Sequence, residues 1–178
     1  HTELSAMQVF PRKREDREID AVIAAVEGAS EQQKKDYENC DKDASYYIKE
    51  YLRKNSLEFD EDVIEYIEEQ CSPIVRHFKN NFNRPRPYQV ADLYNKELNR
   101  FKTGTAKTPS YPSGHAMQPM VVALHYAKKY PEHKNEMVRG AKICGYGRVI
   151  AGLHYPSDYD AGIELAHKLM DFMDYDKF

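Results

Sequence analysis

Three short segments between residues 79 and 158 of this chain carry side chains suited to handling an anion. The first is Lys79-Asn-Asn-Phe-Asn-Arg84-Pro85-Arg86-Pro87. The second is Ser110-Tyr-Pro-Ser113-Gly114-His115. The third runs from Gly147-Arg148 to His154-Tyr-Pro-Ser-Asp158. Taken singly, each has an ordinary reading: solvated charges at a helix end, a turn opening a helix, a loop histidine ahead of a cap. Together they can meet the needs of a phosphate dianion. Arg86 and Arg148 offer forked donors and Lys79 a point charge. Ser113 and Gly114 stand at an expected helix start, where backbone N–H groups without intrahelical acceptors favour an anion. An imidazole can attack phosphorus if a carboxylate fixes its tautomer, and His154 and Asp158 lie four residues apart across a turn into a helix. A second histidine, His115, can then protonate a leaving alcohol.

The elements expected to position these groups are helices. Apolar residues recur at three- and four-residue steps, and no run alternates convincingly at period two, so the fold class is all-α. A first helix is expected over residues 14–26, with Ile19, Val22, Ile23 and Val26 on one face. A second is expected over 31–54, marked by Tyr37, Tyr47, Ile48 and Leu52. A third, over 60–82, carries Val63, Ile67, Cys71, Ile74, Phe78 and Phe82, with a kink expected at Pro73. The Arg-Pro-Arg-Pro run stops it. A short helix is placed within 91–101 and a loop over 102–112. A fourth helix starts at Ser113–Gly114 and carries Met117, Met120, Val121, Leu124 and Ala127. A fifth, over 135–152, bears the small-residue stripe Gly140, Cys144, Gly147 and Ala151, which admits a close neighbour. A sixth follows Pro156, with Ser157 and Asp160 at capping-box spacing, and buries Ile163, Ala166, Leu169, Met170 and Met173.

The chain of 178 residues shows no repeat or linker and is read as one helical domain over 1–178, with its motifs in about 75–170. Apolar residues at 41% and charged residues at 31% describe a globular chain. A net charge of −3 and a pI near 6.2 argue against nucleic acid as the partner. No apolar run approaches the roughly 18 residues of a membrane span, so no membrane embedding is expected. Cys40, Cys71 and Cys144 lack metal-ligand spacing and are odd in number, and are expected to be ordinary buried or half-buried thiols. His77, His125 and His167 are read as structural and His133 as a surface residue. The mixed-sign run from Arg12 to Glu18 is read as a solvated helix start. The chain opens on His1, which leaves open a removed leader, and with it a periplasmic or a cytoplasmic location.

The linked motifs resemble the superfamily of type 2 phosphatidic acid phosphatases, bacterial class A nonspecific acid phosphatases and vanadium haloperoxidases. The family pattern is Lys, six residues, Arg-Pro; then Pro-Ser-Gly-His; then Ser-Arg, five residues, His, three residues, Asp. The chain matches it except that Gly147 stands where Ser is usual. Ser-Tyr-Pro-Ser-Gly-His, Arg148-Val-Ile and Ser-Asp-Tyr-Asp-Ala make it most similar to the class A acid phosphatases. The resemblance implies a metal-independent phosphomonoesterase working through a phosphohistidine on His154. Asp158 would orient that histidine. His115 would be the acid and then the base. Lys79, Arg86, Ser113, Gly114 and Arg148 would hold the phosphoryl oxygens. No cofactor is implied, and the partner is a small phosphorylated substrate; a homo-oligomer is left open.

The main alternative is a vanadate-dependent haloperoxidase, whose pocket would carry vanadate as cofactor on His154. Such enzymes are much longer chains, and Thr108 stands where they carry histidine or an aromatic group. A lipid phosphatase would set the motifs between transmembrane helices, whereas those here are amphipathic and charge-rich. A non-catalytic phosphate binder would have no use for both histidines and the acid. The leaving group (nucleotide, sugar or aryl) stays open.

Overall fold

The computed structural model of the protein describes residues 15–175, which form helices and loops with no strand among them. The all-α expectation holds. Helix α1 (Glu15–Glu27) leads into α2 (Glu31–Lys42), whose start is set by a capping box. The Ser30 hydroxyl accepts from the Gln33 N–H at 3.1 Å, and the Gln33 side chain accepts from the Ser30 N–H at 2.9 Å. The expected 31–54 helix is in fact two. Asp43 turns extended, and its carboxylate accepts the Ser45 N–H at 3.0 Å. That local bond competes with the helical ladder, and α3 (Tyr46–Lys54) starts afresh.

Helix α4 (Glu61–Phe82) is capped by Asp60, passes through Pro73 and stops at Asn83, which adopts the left-handed conformation. Its buried face is Ile64, Cys71, Val75, Phe78 and Lys79. Val63, expected inside, is turned outward at 36% exposure, and Ile67, Ile74 and Phe82 are half-buried. The rotation brings Lys79 inward. Beyond it, the short helix α5 (Pro87–Val90) stands earlier than the helix expected within 91–101, and that stretch itself holds only a 3-10 turn at Ala91–Tyr94.

Helix α6 (Gly114–Lys129) is the central rod. Ten of its sixteen residues are buried, from Ala116 to Ala127, as befits a helix apolar on almost every side. Helices α4, α7 (Lys134–Ile150) and α8 (Pro156–Tyr175) surround it. The main core joins Val75 and Phe78, Met117 to Ala127, Met137 and Ala141, and Leu165, Ala166 and Met170. Met173, expected in this face, is 48% exposed near the end of α8.

The small-residue stripe on α7 is where α2 and α3 approach. A Cβ on Gly140 would lie 3.3 Å from the Tyr47 Cβ, and one on Gly147 would lie 3.9 Å from the Tyr37 Cα. Gly147 therefore faces α2, at a distance that a serine side chain fits. The same seam overturns the reading of the cysteines as ordinary thiols. Cys40 of α2 and Cys144 of α7 form a disulfide, with Cα atoms 5.3 Å apart, and Cys71 is the buried free thiol. Spacing in sequence gave no sign of it, because the partners are 104 residues apart.

Three smaller expectations are also corrected. Ser157 and Asp160 do not form a capping box: the Ser157 N–H donates to Glu18 of α1 at 2.9 Å, and Asp160 is exposed. Glu18 is accordingly no solvated residue; Arg12 to Arg14 of that charge run lie outside the described residues. His133 is half-buried, and its Nδ1 meets the Tyr51 hydroxyl at 2.6 Å.

A cross-link closing so long a loop is expected to contribute about 2–5 kcal/mol. Cys40→Ser should lower stability in denaturant titration by that amount, and reductant should reproduce the loss in the wild-type protein. An unchanged midpoint in reductant would show that the pair contributes nothing.

Candidate active site

Three segments meet at one end of the bundle: the inward-facing last turn of α4, the first turn of α6, and the turn joining α7 to α8. That last turn is held with unusual firmness. Gly152 sits at φ +79°, where a side chain would be strained, and its Cβ would come within 2.8 Å of Leu98. Leu153 is buried with Tyr37 and Ala151, whereas Tyr155 is buried in a different cluster with Ile19, Val22 and Val149. The backbone on either side of His154 is thus anchored in separate apolar clusters, and the imidazole itself is only 3% exposed.

One helical turn on, Asp158 is fully buried and receives donors on both oxygens. Arg84 donates to Oδ1 at 2.8 Å, and the Tyr155 N–H donates to Oδ2 at 2.8 Å. The Ser110 hydroxyl also donates to Oδ2, and His154 Nδ1 lies 3.2 Å from it. Burial pushes this carboxyl above its usual value; the Arg84 charge and the Ser110 and Tyr155 donors oppose that push. Because these three neighbours donate, the surroundings satisfy the carboxylate form. Burial, followed by the charges of Arg86, Lys79 and Arg148, holds His154 well below its ordinary value, so the ring is neutral. A carboxylate at Nδ1 and a guanidinium at Nε2, where Arg86 approaches to 3.1 Å, fit the Nδ1–H tautomer. The Nε2 lone pair is then the reactive one.

The basic groups converge around that nitrogen. Lys79, Arg86 and Arg148 are all buried and feel one another's charge. Arg86 donates to the Thr108 carbonyl at 2.8 Å and to the Leu153 carbonyl at 3.1 Å, and Lys79 donates to the Pro109 carbonyl. Arg148 reaches Asp41 at 2.6 Å and Thr105 at 2.8 Å. Its Nε is buried and has no hydrogen-bond partner among the described residues.

The Ser113 hydroxyl is in the same condition. A serine at a helix N-cap normally turns its oxygen onto its own helix; Ser113 makes no such bond, and its N–H goes instead to the Asp158 carbonyl at 3.0 Å. Gly114 and His115 follow in the first turn, half-buried. The strand of backbone at Ser113 is pressed against α8: a Cβ on Gly162 would lie 2.5 Å from the Ser113 carbonyl oxygen. His115 is held well below its ordinary pKa by burial first and then by Arg148 and His154, which places it in the same electrostatic neighbourhood.

The structure therefore gathers His154, Asp158, Lys79, Arg86, Arg148, Ser113, Gly114 and His115 at one end of the bundle. It also brings in residues that motif spacing did not single out: Arg84 and Glu18 behind Asp158, Ser110 beside it, and Asp41 behind Arg148. Burial would raise Asp41, but bonds from Arg148, the Gly104 N–H and Thr103 outweigh it and hold the carboxyl low. Arg84 was visible as the other arginine of Arg-Pro-Arg-Pro. Glu18 and Asp41 carried no local signal.

An all-helical fold with a buried imidazole–carboxylate pair beside three buried basic side chains defines the class of structure. The sequence model of the PAP2 superfamily matches residues 71–167, more than half of the chain, and the chain belongs to that superfamily. It is 38% identical over 89 residues to the acid phosphatase of Zymomonas mobilis subsp. mobilis, covering 49% of this chain and 33% of that one. It is 36% identical over 86 residues to the non-specific acid phosphatase of Salmonella typhimurium, covering 47% and 33%. It is 31% identical over 111 residues to that of Providencia stuartii, covering 61% and 43%. The chain thus spans between a third and 43% of the length of these curated relatives. Its fold is similar to that of a transmembrane PAP2-type phosphatidylglycerolphosphate phosphatase from Bacillus subtilis, with a TM-score of 0.60 and 17% identity over 97% of this chain and 90% of that one. No helix among the described residues is long and apolar enough to cross a membrane.

Burial, with the Arg86 and Arg148 charges, lowers Lys79 to about 7, against a smaller opposing pull from Asp158. The group is an ammonium below that pH and a neutral amine above it. Sulfate keeps a constant charge across this range, so its affinity should fall by about tenfold per pH unit above pH ~7. In Lys79→Met, binding should be weaker and flat over the same range. The same decline in the variant would assign the titration to another group.

Proposed function

We propose that the chain is a phosphomonoesterase that works through a phosphohistidine at His154 Nε2. What carries the reading is the arrangement of the side chains around His154. A neutral imidazole, fixed by a buried carboxylate, presents its lone pair among three buried cations, while the Ser113 hydroxyl and Arg148 Nε have no hydrogen-bond partner among the described residues. A phosphoryl group supplies the acceptors that these donors lack. The PAP2 superfamily model matches residues 71–167, the stretch that holds these groups.

The steps follow from the geometry. A phosphate ester enters, and Arg86 turns its NH1 from Nε2 to a phosphoryl oxygen. Lys79, Arg148, Ser113 and the first-turn N–H groups of α6 take the others. Nε2 attacks phosphorus in line as the P–O bond to the alcohol breaks, and Asp158 stabilises the charge that develops on the ring. In the empty site, burial and Arg148 keep His115 unprotonated. A bound dianion reverses that field, so His115 acquires a proton and gives it to the leaving oxygen. It then takes a proton from the water that attacks the phosphohistidine, restoring the enzyme and releasing phosphate. Charge stabilisation comes from protein donors, and no metal or other cofactor enters the scheme.

His154→Ala should abolish hydrolysis of a nitrophenyl phosphate in a protein that still folds, as circular dichroism would check. Rapid quench of the wild-type protein without acid should trap label on this histidine. Vanadate, which adopts the five-coordinate geometry of the transferring phosphoryl group, should inhibit tightly, and chelators should leave the rate unchanged. Full activity in His154→Ala sinks the mechanism. Bromide oxidation with vanadate and peroxide, in place of hydrolysis, would favour the haloperoxidase.

The two histidines should separate by leaving group. Alkoxides need a proton and nitrophenolate needs it far less. His115→Ala should therefore slow burst-phase phosphorylation by alkyl phosphates by roughly 10²–10⁴-fold and by nitrophenyl phosphate much less. Equal losses would reassign His115 to binding.

A further inference from the structure

Behind Asp158, on the side away from the pocket cations, stands a second polar layer that the proposed chemistry does not touch. Arg84 is fully buried, and its fork is spent in two directions. One terminal nitrogen donates to Asp158 Oδ1 at 2.8 Å and to the Ser157 hydroxyl at 2.8 Å; the other donates to Glu18 at 3.0 Å. The guanidinium plane lies over the Tyr155 ring, 3.8 Å from its centroid. Glu18 in turn accepts the Ser157 N–H and hydroxyl, each at 2.9 Å, and is only 16% exposed. A residue of the first helix thus reaches the first turn of the last.

We propose that Arg84, aimed by Glu18 and Ser157, is the positioning residue for the Asp158–His154 pair, which makes α1 a working part of the site. The proposal rests on the reading of His154 as nucleophile. Arg84 is the cation in direct contact with a carboxylate that has no water, and a buried charge stripped of its partner is strongly unfavourable. Without Arg84, Asp158 relieves its burial by taking a proton. A protonated Asp158 donates to His154 Nδ1 instead of accepting from it. The ring then carries its own proton on Nε2, and the lone pair that would attack phosphorus is gone. Glu18 acts one step further out: it holds the fork in the orientation from which NH1 meets Oδ1. A lysine at 84 would bring charge without the fork that bridges Asp158, Ser157 and Glu18.

The experiment uses the whole chain and two measurements. Histidine ¹⁵N spectra report which nitrogen of His154 carries the proton. Burst-phase phosphorylation and sulfate affinity are compared in the same variants. In Glu18→Ala and Arg84→Lys, the burst rate should fall by about 10- to 100-fold, and the His154 proton should shift from Nδ1 towards Nε2. Sulfate affinity should stay within about twofold, because Lys79, Arg86 and Arg148 are untouched. Arg84→Met should show the larger effect; if it fails to fold, Glu18→Ala decides alone. A folded Glu18→Ala protein with the wild-type rate and tautomer overturns the proposal. So does a loss of sulfate affinity equal to the loss of rate, which marks a collapsed pocket. Absence of hydrolysis by the wild-type protein would remove the phosphatase reading instead, and the spectra would still decide the role of Arg84.

Discussion

Asp158 has no solvent exposure. A carboxylate taken out of water must recover its hydration from the protein, and Asp158 recovers it from four directions: Arg84 after α4, Ser110 in the loop before α6, the Tyr155 N–H, and His154. Each donor lies in a different part of the chain or on a different part of one turn. If one segment shifts, a buried charge loses a partner. The carboxylate therefore ties the three motif segments together, and its backbone carbonyl adds the Ser113 N–H to the same knot.

Such a knot requires backbones that approach closely. Gly162 and Gly145 provide this on two sides of α6. A Cβ on Gly162 would be 2.5 Å from the Ser113 carbonyl oxygen, and one on Gly145 would be 3.0 Å from the Ala116 Cα. Both contacts are with backbone, which has little room to yield. The first turn of α6 is seated between α7 and α8 by the absence of two side chains. The Cys40–Cys144 bridge fastens the other flank of α7, one turn before Arg148 and next to Asp41.

The buried cations of the site are satisfied mainly by protein carbonyls and side chains. Arg86 rests on carbonyls and on the imidazole, Lys79 on a carbonyl, and Arg148 on Asp41 and threonines. Carbonyl partners are weaker than an anion for a charged donor, which is what the proposed binding of a phosphoryl group draws on. Lys79 shows the electrostatic cost of the arrangement: burial, with the charges of Arg86 and Arg148, lowers it to about 7.

Local rules account for what the sequence determined. Helical periodicity is a property of neighbours three and four apart, so the helices, the start of α6 at Ser113–Gly114 and the close-packing stripe on α7 were legible. So were His154 and Asp158 as a pair one turn apart, and the three basic residues with their linked spacing. Where a side chain competed locally with the backbone, as at Asp43, even a helix boundary was misread. Tertiary structure decided everything that depends on distance across the fold: the disulfide between residues 104 apart, the rotation of α4 that turns Lys79 inward, and Asp41 behind Arg148. It also decided the fate of Glu18, which sits in a charge run indistinguishable from a solvated helix start until α1 is packed against α8. Periodicity says which face of a helix is apolar. It says nothing about which buried charge on another helix will need compensating, because that demand arises only when the chain has closed around Asp158.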